Sequence, residues 1–460
     1  MPHIRSGARS TCCRPSPAGD AVTVTPPSTP AQHARAVEAL LAPVLARLAD
    51  PTRAERVDLS GSAALGRVLA VAVTSPVAVP PFANAQMDGY AVRAADIADA
   101  SAEASIRLPI RGTSAAGDPV GAHTPGSATA IMTGAPLPVG ADAVVPIEVV
   151  DPPRFVGIGG GIHDAPADAA VAFLAPTSPG TYVRPAGADL AVGDTILDAA
   201  TRLGPAQLGA LAAAGITTAL VRPRVRVLLI STGHELRAPG AALGSGQIYD
   251  ANTSSLRAAL VDCGALVETA FAPDDAAAVR DAITAPLDVD LVVTTGGVSA
   301  GAFEVVRDAL EPVGVRFGHV AMQPGGPQGL GTARLAGDTG TGTDPGVASA
   351  REVPVIAFPG NPVSALLSFE MFLRPVLRRA AGLAPYRPTD RAPLAHDISS
   401  PEHKHQVRRG ALRPDGTVEV SAPGSHLLRD YARATVLVHV PIGVAALPAG
   451  AEVEIWRIDE

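Results

Sequence analysis

The sequence predicts an α/β fold joined to β-rich parts, and three observations predict it. Apolar strands alternate with helical stretches between about 224 and 385, the pattern of a parallel sheet with helical crossovers. Short apolar runs broken by Gly and Pro fill about 52–150, and short strands return after 386. The chain has 460 residues, too many for one core, so these stretches are separate units.

Taken in order, residues 1–32 are rich in Pro, Ser, Thr and Arg and read as a disordered tail. Val37, Leu40, Leu41, Val44, Leu45 and Leu48 then mark one face of a helix, with Pro43 placed to bend it. VLAVAV (68–73), AIMTG (130–134) and AVVPIE (143–148) read as strands. Residues 154–180 have no clear period, and PAQLGALAAAG (205–215) is a helix stopped by glycine. From 224 the order is VRVLLIST (strand), SSLRAALVDCG (helix), LVETAFA (strand) and DDAAAVRDAITA (helix). LVVTT (strand), EVVRDAL (helix), PVIAFP (strand) and PVSALLSFEMFLRPVLRR (helix) follow, with 337–349 a low-complexity loop. HQVRRGAL, TVEVSA, TVLVHVP and EVEIWRI are the strands of a small closing β-domain.

Composition narrows the function. A net charge of −8 argues against nucleic acid as a partner, since phosphate backbones need a basic face. Aromatic residues make up 3%, too few for base-stacking platforms. Cys12, Cys13 and Cys263 form neither a disulfide framework nor a metal set, which fits a reducing cytoplasm. No secretory signal and no apolar run of membrane-spanning length is evident, so no membrane is expected.

Three loops leave strands at the edge where open parallel sheets bind ligands: STGHEL (231–236), GGVSAG (296–301) and PGNPVSA (359–365). Glycines there admit a ligand close to the backbone, and the helix starts that follow offer N–H groups to an anion. Asn361 is placed to cap its helix, with Pro362 at the first helical position. A phosphate-bearing ligand follows from this set. Gly297, Ser299 and Gly301 also match the G-x-S-x-G elbow of a serine hydrolase, although Gly296 loosens that turn. No Walker A sequence is present.

PPFANAQMDGYAVR (80–93) resembles the signature of the MoeA-type molybdenumtransferase family. Further segments match in family order: IMTGAPLPVGADAVVPIE (131–148), RPAGADL (184–190), STGHEL, GQIYDANTSSL (246–256), TTGGVSAGAFEVV (294–306) and PGNPVSALLSFEMFLRPVL (359–377). The similarity covers about 33–460. It implies an elongated homodimer of multidomain subunits, each with a three-layer α/β domain, and an active site between subunits. The implied division is a linker domain of 33–60 and 150–223, an inserted β-rich domain of 61–149, an α/β molybdopterin-binding domain of 224–385 and a C-terminal β-domain of 386–460. The implied reaction uses Mg²⁺ and inserts molybdate into adenylylated molybdopterin, releasing AMP. A molybdopterin-adenylating enzyme and molybdoenzymes are the implied partners.

The resemblance assigns Asp88, Thr133, Asp189 and Glu235 to catalysis, and Asp88 and Asp250 to Mg²⁺, which favours oxygen ligands. Gly296, Gly297, Ser299, Gly301, Pro324, Pro327, Asn361 and Ser364 would line the pterin phosphate or adenylate site, while Arg409 and Ser425 align with molybdate-binding positions. Plainer readings stand beside these. Asp88 before Gly89 is also a turn residue, Thr133 a strand end and Asp250 a helix cap. Ala188 stands where many members carry glutamate, His234 where an acid is common, and Gln323 and Gly326 where a lysine-rich loop is usual. Neutral Gln323 and Gly326 remove two positive charges beside a dianion, which the carboxylates lost at 188 and 234 partly offset. The MQPG loop resembles that of a subset of the family, which implies a retuned site, with a non-catalytic scaffold of the same fold as the alternative. His403 and His405, flanking Lys404, read as an exposed polar turn and not as a metal site.

Overall fold

Thr29 and Gln32 start the first helix by exchanging hydrogen bonds: the Gln32 amide donates to Thr29 Oγ1 at 3.2 Å, and the Thr29 amide donates to Gln32 Oε1 at 2.8 Å. The helix, α1, spans Pro30–Ala49 in the computed structural model, which describes residues 28–156, 168–284, 288–299, 304–335 and 351–459. The described residues begin before the expected end of the tail at 32, and the rest of that expected tail lies outside them. Ser28 already pairs with Val320. Pro43 is accommodated inside the helix.

The apolar face read from the sequence is buried, but not on the linker domain. Val37, Leu41, Val44 and Leu48 pack into one core with Val227, Leu229, Leu291, Val293 and Ile356. Each such burial is worth about 1.5–3 kcal/mol over exposure. The chain leaves that core after α1 and returns to it at 225.

Between those points lie two units. In the linker unit, Glu55–Asp58 pairs antiparallel with Thr218–Val221, and Val73–Thr74 pairs with Thr195–Leu197. The helix α2 (Pro205–Ala213) covers this unit through Leu211, which packs with Leu69, Leu203 and Val221. The expected strand at 68–73 is reduced to single bridges at Val68 and Leu69 and the short Val73–Thr74. The inserted unit is a six-stranded sheet of Ala143–Pro146, Gly89–Val92, Ala128–Ile131, Ile106–Ser114, Ala170–Phe173 and Val150–Asp151, in that spatial order. Strand pairing thus moves both expected boundaries. Residues 61–74 belong with the linker, and 150–156 and 168–173 belong with the insert, where the Val156 amide donates to the buried Tyr90 hydroxyl at 2.9 Å.

The α/β unit follows the expected alternation. Its elements are β1 (Arg226–Thr232), α3 (Ala251–Asp262), β2 (Leu266–Ala272), α4 (Ala276–Thr284), β3 (Leu291–Thr295), α5 (Val305–Leu310), β4 (Val315–His319), β5 (Pro327–Leu335), β6 (Arg351–Phe358), α6 (Pro362–Ser368) and α7 (Arg374–Ala380). A π turn at Phe369–Leu373 joins the last two helices. The sheet order is β2-β1-β3-β6-β5-β4. The first four strands are parallel, while β5 runs antiparallel to both β6 and β4. Helices cover both faces: α1, α3, α6 and α7 on one, α4 and α5 on the other. Register sets Ser231 opposite Thr295 and Thr295 opposite Phe358, so the three glycine loops emerge side by side.

The C-terminal sheet centres on His405–Leu412, flanked by Val436–Val440 and, in parallel, by Met322–Gln323 from the α/β unit. That borrowed pair joins the two units. Val363 and Leu367 of α6 also pack against Val407 and Leu437. Among the described residues no helix is long and apolar enough to cross a membrane.

Candidate functional site

The parallel register and the borrowed strand together enclose a cleft of about 980 Å³. One wall carries the loops after β1, β3 and β6, the other carries Met322–Pro327, Lys404 and Pro423–His426. Of the residues singled out in the sequence, Glu235, Asp250, Gly296, Gly297, Ser299, Pro324, Pro327, Asn361, Ser364 and Ser425 all line it. Gly301 lies outside the described residues.

Backbone geometry explains the glycines. Gly296 and Gly297 sit at φ +92° and +59°, where side chains are strained. A Cβ on Gly297 would stand 2.8 Å from the Val306 amide nitrogen, and one on Gly296 would stand 2.9 Å from Thr232 Oγ1. Gly233 plays a like part: a Cβ there would meet the Glu235 carboxylate at 2.7 Å.

Polar side chains hold the loops. Asp250 is the N-cap of α3, accepting from the Thr253 amide at 2.9 Å and from the Thr253 hydroxyl at 2.6 Å. Thr253 Oγ1 continues to Ser231 Oγ at 2.6 Å. Asn252 Nδ2 donates to the Gly360 carbonyl at 2.7 Å, tying two of the loops. Gln328 Nε2 donates to the Gly325 carbonyl and to Ser368 Oγ, both at 2.7 Å, and so pins the Met322–Pro327 loop to the helix after Pro362. Asn361 occupies the N-cap position of α6, but its side chain makes no capping bond, contrary to expectation.

Among the described residues four carboxylates line the cleft: Glu235, Asp250, Asp274 and Glu304. Asp274 accepts from the His234 amide at 3.0 Å and sits 2.7 Å from His234 Nδ1, which raises the imidazole pKa above its ordinary value. One ligand atom each of His234, Glu235 and Asp274 lie within 4.8 Å of one another. Glu304 accepts from the Ser299 amide at 2.7 Å. Sequence reasoning missed Glu304 and Asp274. An acid five residues after Ser299, at a helix start, was the available signal for the first; Asp274 is remote in sequence and carried none.

Ser299 has no hydrogen bond to a histidine among the described residues, and its amide is engaged by Glu304. A serine nucleophile needs its base within hydrogen-bond reach, so the elbow reading loses its support.

Several expected residues lie elsewhere. Asp88, Thr133 and Asp189 are exposed and do not line the cleft. Asp88 Oδ1 accepts from the Thr133 amide and hydroxyl, at 2.7 and 2.8 Å. Asp189 lies in the neighbouring 185–190 turn, its amide donating to the Val79 carbonyl at 2.9 Å. Asp88 and Asp250, expected to share Mg²⁺, therefore do not meet in one cleft of one chain, because the insert and the α/β unit carry them separately.

Arg409 is fully buried and not on the cleft wall. Its Nη2 donates to the carbonyls of Ala422 and Gly424, at 2.7 and 3.0 Å, shaping the loop that presents Ser425. Its Nε and Nη1 are buried without a partner among the described residues. His405 is not in an exposed turn: it opens the central C-terminal strand, with Nε2 2.9 Å from His439 Nδ1. Burial lowers the pKa of both and brings His439 to about 3.

Comparison with known proteins adds to this geometry. The sequence profile of the MoeA N-terminal region (domain I and II) matches residues 30–215, that of a probable molybdopterin binding domain matches 228–379, and that of the MoeA C-terminal region (domain IV) matches 391–458. Molybdopterin molybdenumtransferase 2 of Mycobacterium tuberculosis is 43% identical over 416 residues, 86% of this chain and 93% of its own. Molybdopterin molybdenumtransferase of Haemophilus influenzae is 31% identical over 424 residues, 90% and 96% of the two chains. The crystal structure of a molybdopterin biosynthesis MoeA protein from Pyrococcus horikosii superposes with a TM-score of 0.72 at 30% identity, covering 92% of this chain and 98% of that one.

Proposed function

The chain belongs to the MoeA family of molybdopterin molybdenumtransferases, enzymes of molybdenum cofactor biosynthesis, and we propose that it inserts molybdate into adenylylated molybdopterin with release of AMP. The observation that carries this reading is the single cleft on which the glycine loops of the α/β sheet face the Pro423–His426 loop of the C-terminal unit. A phosphate-rich pterin nucleotide suits the first wall, where glycine backbone faces the cleft. A tetrahedral oxyanion suits the second, where Ser425 sits on a loop shaped by Arg409.

Mg²⁺ fits the donors present. Glu235, Asp250 and Asp274 offer carboxylate oxygen to the cleft, and that ion takes oxygen ligands. When bound, it would neutralise charge on the phosphoanhydride and its leaving group. The chain's own part is to hold reactants. Asp250 keeps α3 in register through Thr253, and Glu304 fixes the Ser299 turn. Gly296 and Gly297 let the backbone approach a phosphate.

Asp88, Thr133 and Asp189 enter this reading through a homodimer in which the insert of one subunit closes the cleft of the other. Exposed Met87 and Tyr182, beside Asp88 in the chain and across a backbone bond from Gln86, give that insert an apolar rim suited to burial. A cytoplasmic setting completes the reading, with a molybdopterin-adenylating enzyme before this step and molybdoenzymes after it.

Purified protein incubated with adenylylated molybdopterin, Mg²⁺ and molybdate is expected to release AMP in a molybdate-dependent way. Tight binding of the pterin nucleotide with no release above a protein-free control would leave a scaffold in place of an enzyme.

A further inference from the structure

We propose that Lys404 binds a tetrahedral oxyanion in the cleft, either a phosphate of the pterin nucleotide or molybdate itself. The chain holds 36 Lys and Arg residues, and Lys404 is its single lysine. Among the described residues no arginine lines the cleft, so Lys404 is its one permanent cation there, on a cleft that four carboxylates also line.

Three of those carboxylates are engaged by other groups. Asp250 is engaged by Thr253, Asp274 by His234 and Glu304 by the Ser299 amide. Among the described residues the Lys404 ammonium has neither a hydrogen bond nor an ion pair. The backbone beneath it is fixed. The Lys404 amide donates to the Pro401 carbonyl at 3.0 Å, and the next amide, of His405, donates to Ala321 at 2.8 Å. That second bond opens the pairing of Met322–Gln323 with His405–Gln406, which Gln406 Nε2 reinforces by donating to Gln323 Oε1 at 2.7 Å.

The backbone of Lys404 is thus anchored where the two cleft walls join, while its charged end is uncommitted among the described residues. A side chain with that placement costs the fold nothing when it turns to a ligand. An ammonium carries three rotatable donors and meets an oxyanion as a point charge. A cleft with four carboxylates repels an anionic ligand unless a cation sits beside it. Lys404 is the residue that supplies one from the protein.

This inference rests on the proposed function, and its test separates the two. Reductive methylation with ¹³C-formaldehyde of the full chain keeps the lysine charge and labels only Lys404 and the terminal amine. AMP and sodium molybdate are then added in separate titrations. The Lys404 methyl resonance is expected to move saturably with one of them, AMP identifying phosphate and molybdate the metal oxyanion. Lys404→Gln is expected to weaken that ligand about tenfold or more, the loss of one charge-assisted contact. Lys404→Arg should retain most of the affinity, and thermal midpoints should be unchanged. Binding that is equally tight in Lys404→Gln, with no movement of the resonance, would overturn the role of Lys404 alone. Absence of binding by either ligand to the unmodified chain would overturn the proposed function and this role together.

Discussion

Thr133 gives both its amide and its hydroxyl to one oxygen of Asp88, at 2.7 and 2.8 Å. Two donors on Oδ1 set the plane of the carboxylate on an exposed turn, where a free aspartate would rotate. Thr133→Val keeps the amide bond and removes the other. It is expected to lower molybdate-dependent AMP release about tenfold, and Asp88→Ala about a thousandfold, with thermal midpoints little changed. Full activity in Asp88→Ala would remove the inserted unit from the reaction.

Separate placement of Asp88 and the cleft predicts complementation between two inactive chains. Asp88→Ala spoils the insert, and Gly297→Ala spoils the cleft by placing a methyl 2.8 Å from the Val306 amide nitrogen. If each site draws on two subunits, co-expression gives half heterodimers with one intact site of two, about a quarter of wild-type activity. Activity no greater than that of the single variants would place Asp88 and the cleft in the same subunit.

Gly89 follows Asp88 directly, and a Cβ there would lie 2.1 Å from the Val145 carbonyl oxygen. Backbone cannot yield as a flexible side chain does. Gly89→Ala is expected to destabilise the inserted sheet by about 3 kcal/mol or more, read as a lower denaturation midpoint, whereas Gly112→Ala, which meets nothing within 4 Å but sits at φ +83°, should cost about 1 kcal/mol.

Acid should weaken the fold before carboxylates are protonated. Burial brings the imidazole of His33 down to about 4 and that of His439 to about 3. Unfolded imidazoles titrate near 6.5. Below that pH the unfolded chain takes up protons that the native chain refuses, so stability present above about 6.5 is lost as pH falls toward 4. Each histidine contributes about 1.4 kcal/mol per pH unit across that window. His33→Phe, which keeps a ring against Phe372, should make the loss between pH 6 and 4.5 shallower by that amount, measured as urea midpoints. An identical slope in the variant would show that His33 titrates normally.

Parallel strands were the most legible part of the sequence. Being buried on both faces, LVVTT and VRVLLIST appear as unbroken apolar runs. Strands β4 and β5 escaped notice because Gly318, Gly329 and Gly331 interrupt their pattern at the antiparallel end of the sheet. The stripe on α1 was plain, but periodicity tells which face is buried and not what covers it. The same limit moved the boundaries at 61 and 150, which only strand pairing fixes. Ten of the expected binding and catalytic residues do share one cleft, since loop position follows from strand order. Burial of Arg409 and the engagement of Ser299 by Glu304 depend on contacts far apart in the chain or hidden in loop shape. Lys404 was visible as a count of one, and its meaning came from the cleft.

One of the helices that cover the α/β sheet, α1, is encoded before everything else in that unit. Residues 50–225 are thus one long excursion between a helix and its own core, and the ligand-binding unit cannot be cut out as a continuous stretch. Excision at 224 would bare the patch that Val37, Leu41, Val44 and Leu48 now cover and leave a sticky fragment. Splicing 28–49 onto the start of β1 through a short connector would restore the cover. Shuffling of such genes by simple fusion at the apparent border should therefore yield insoluble products, and transplantation should succeed only when the helix travels with its sheet.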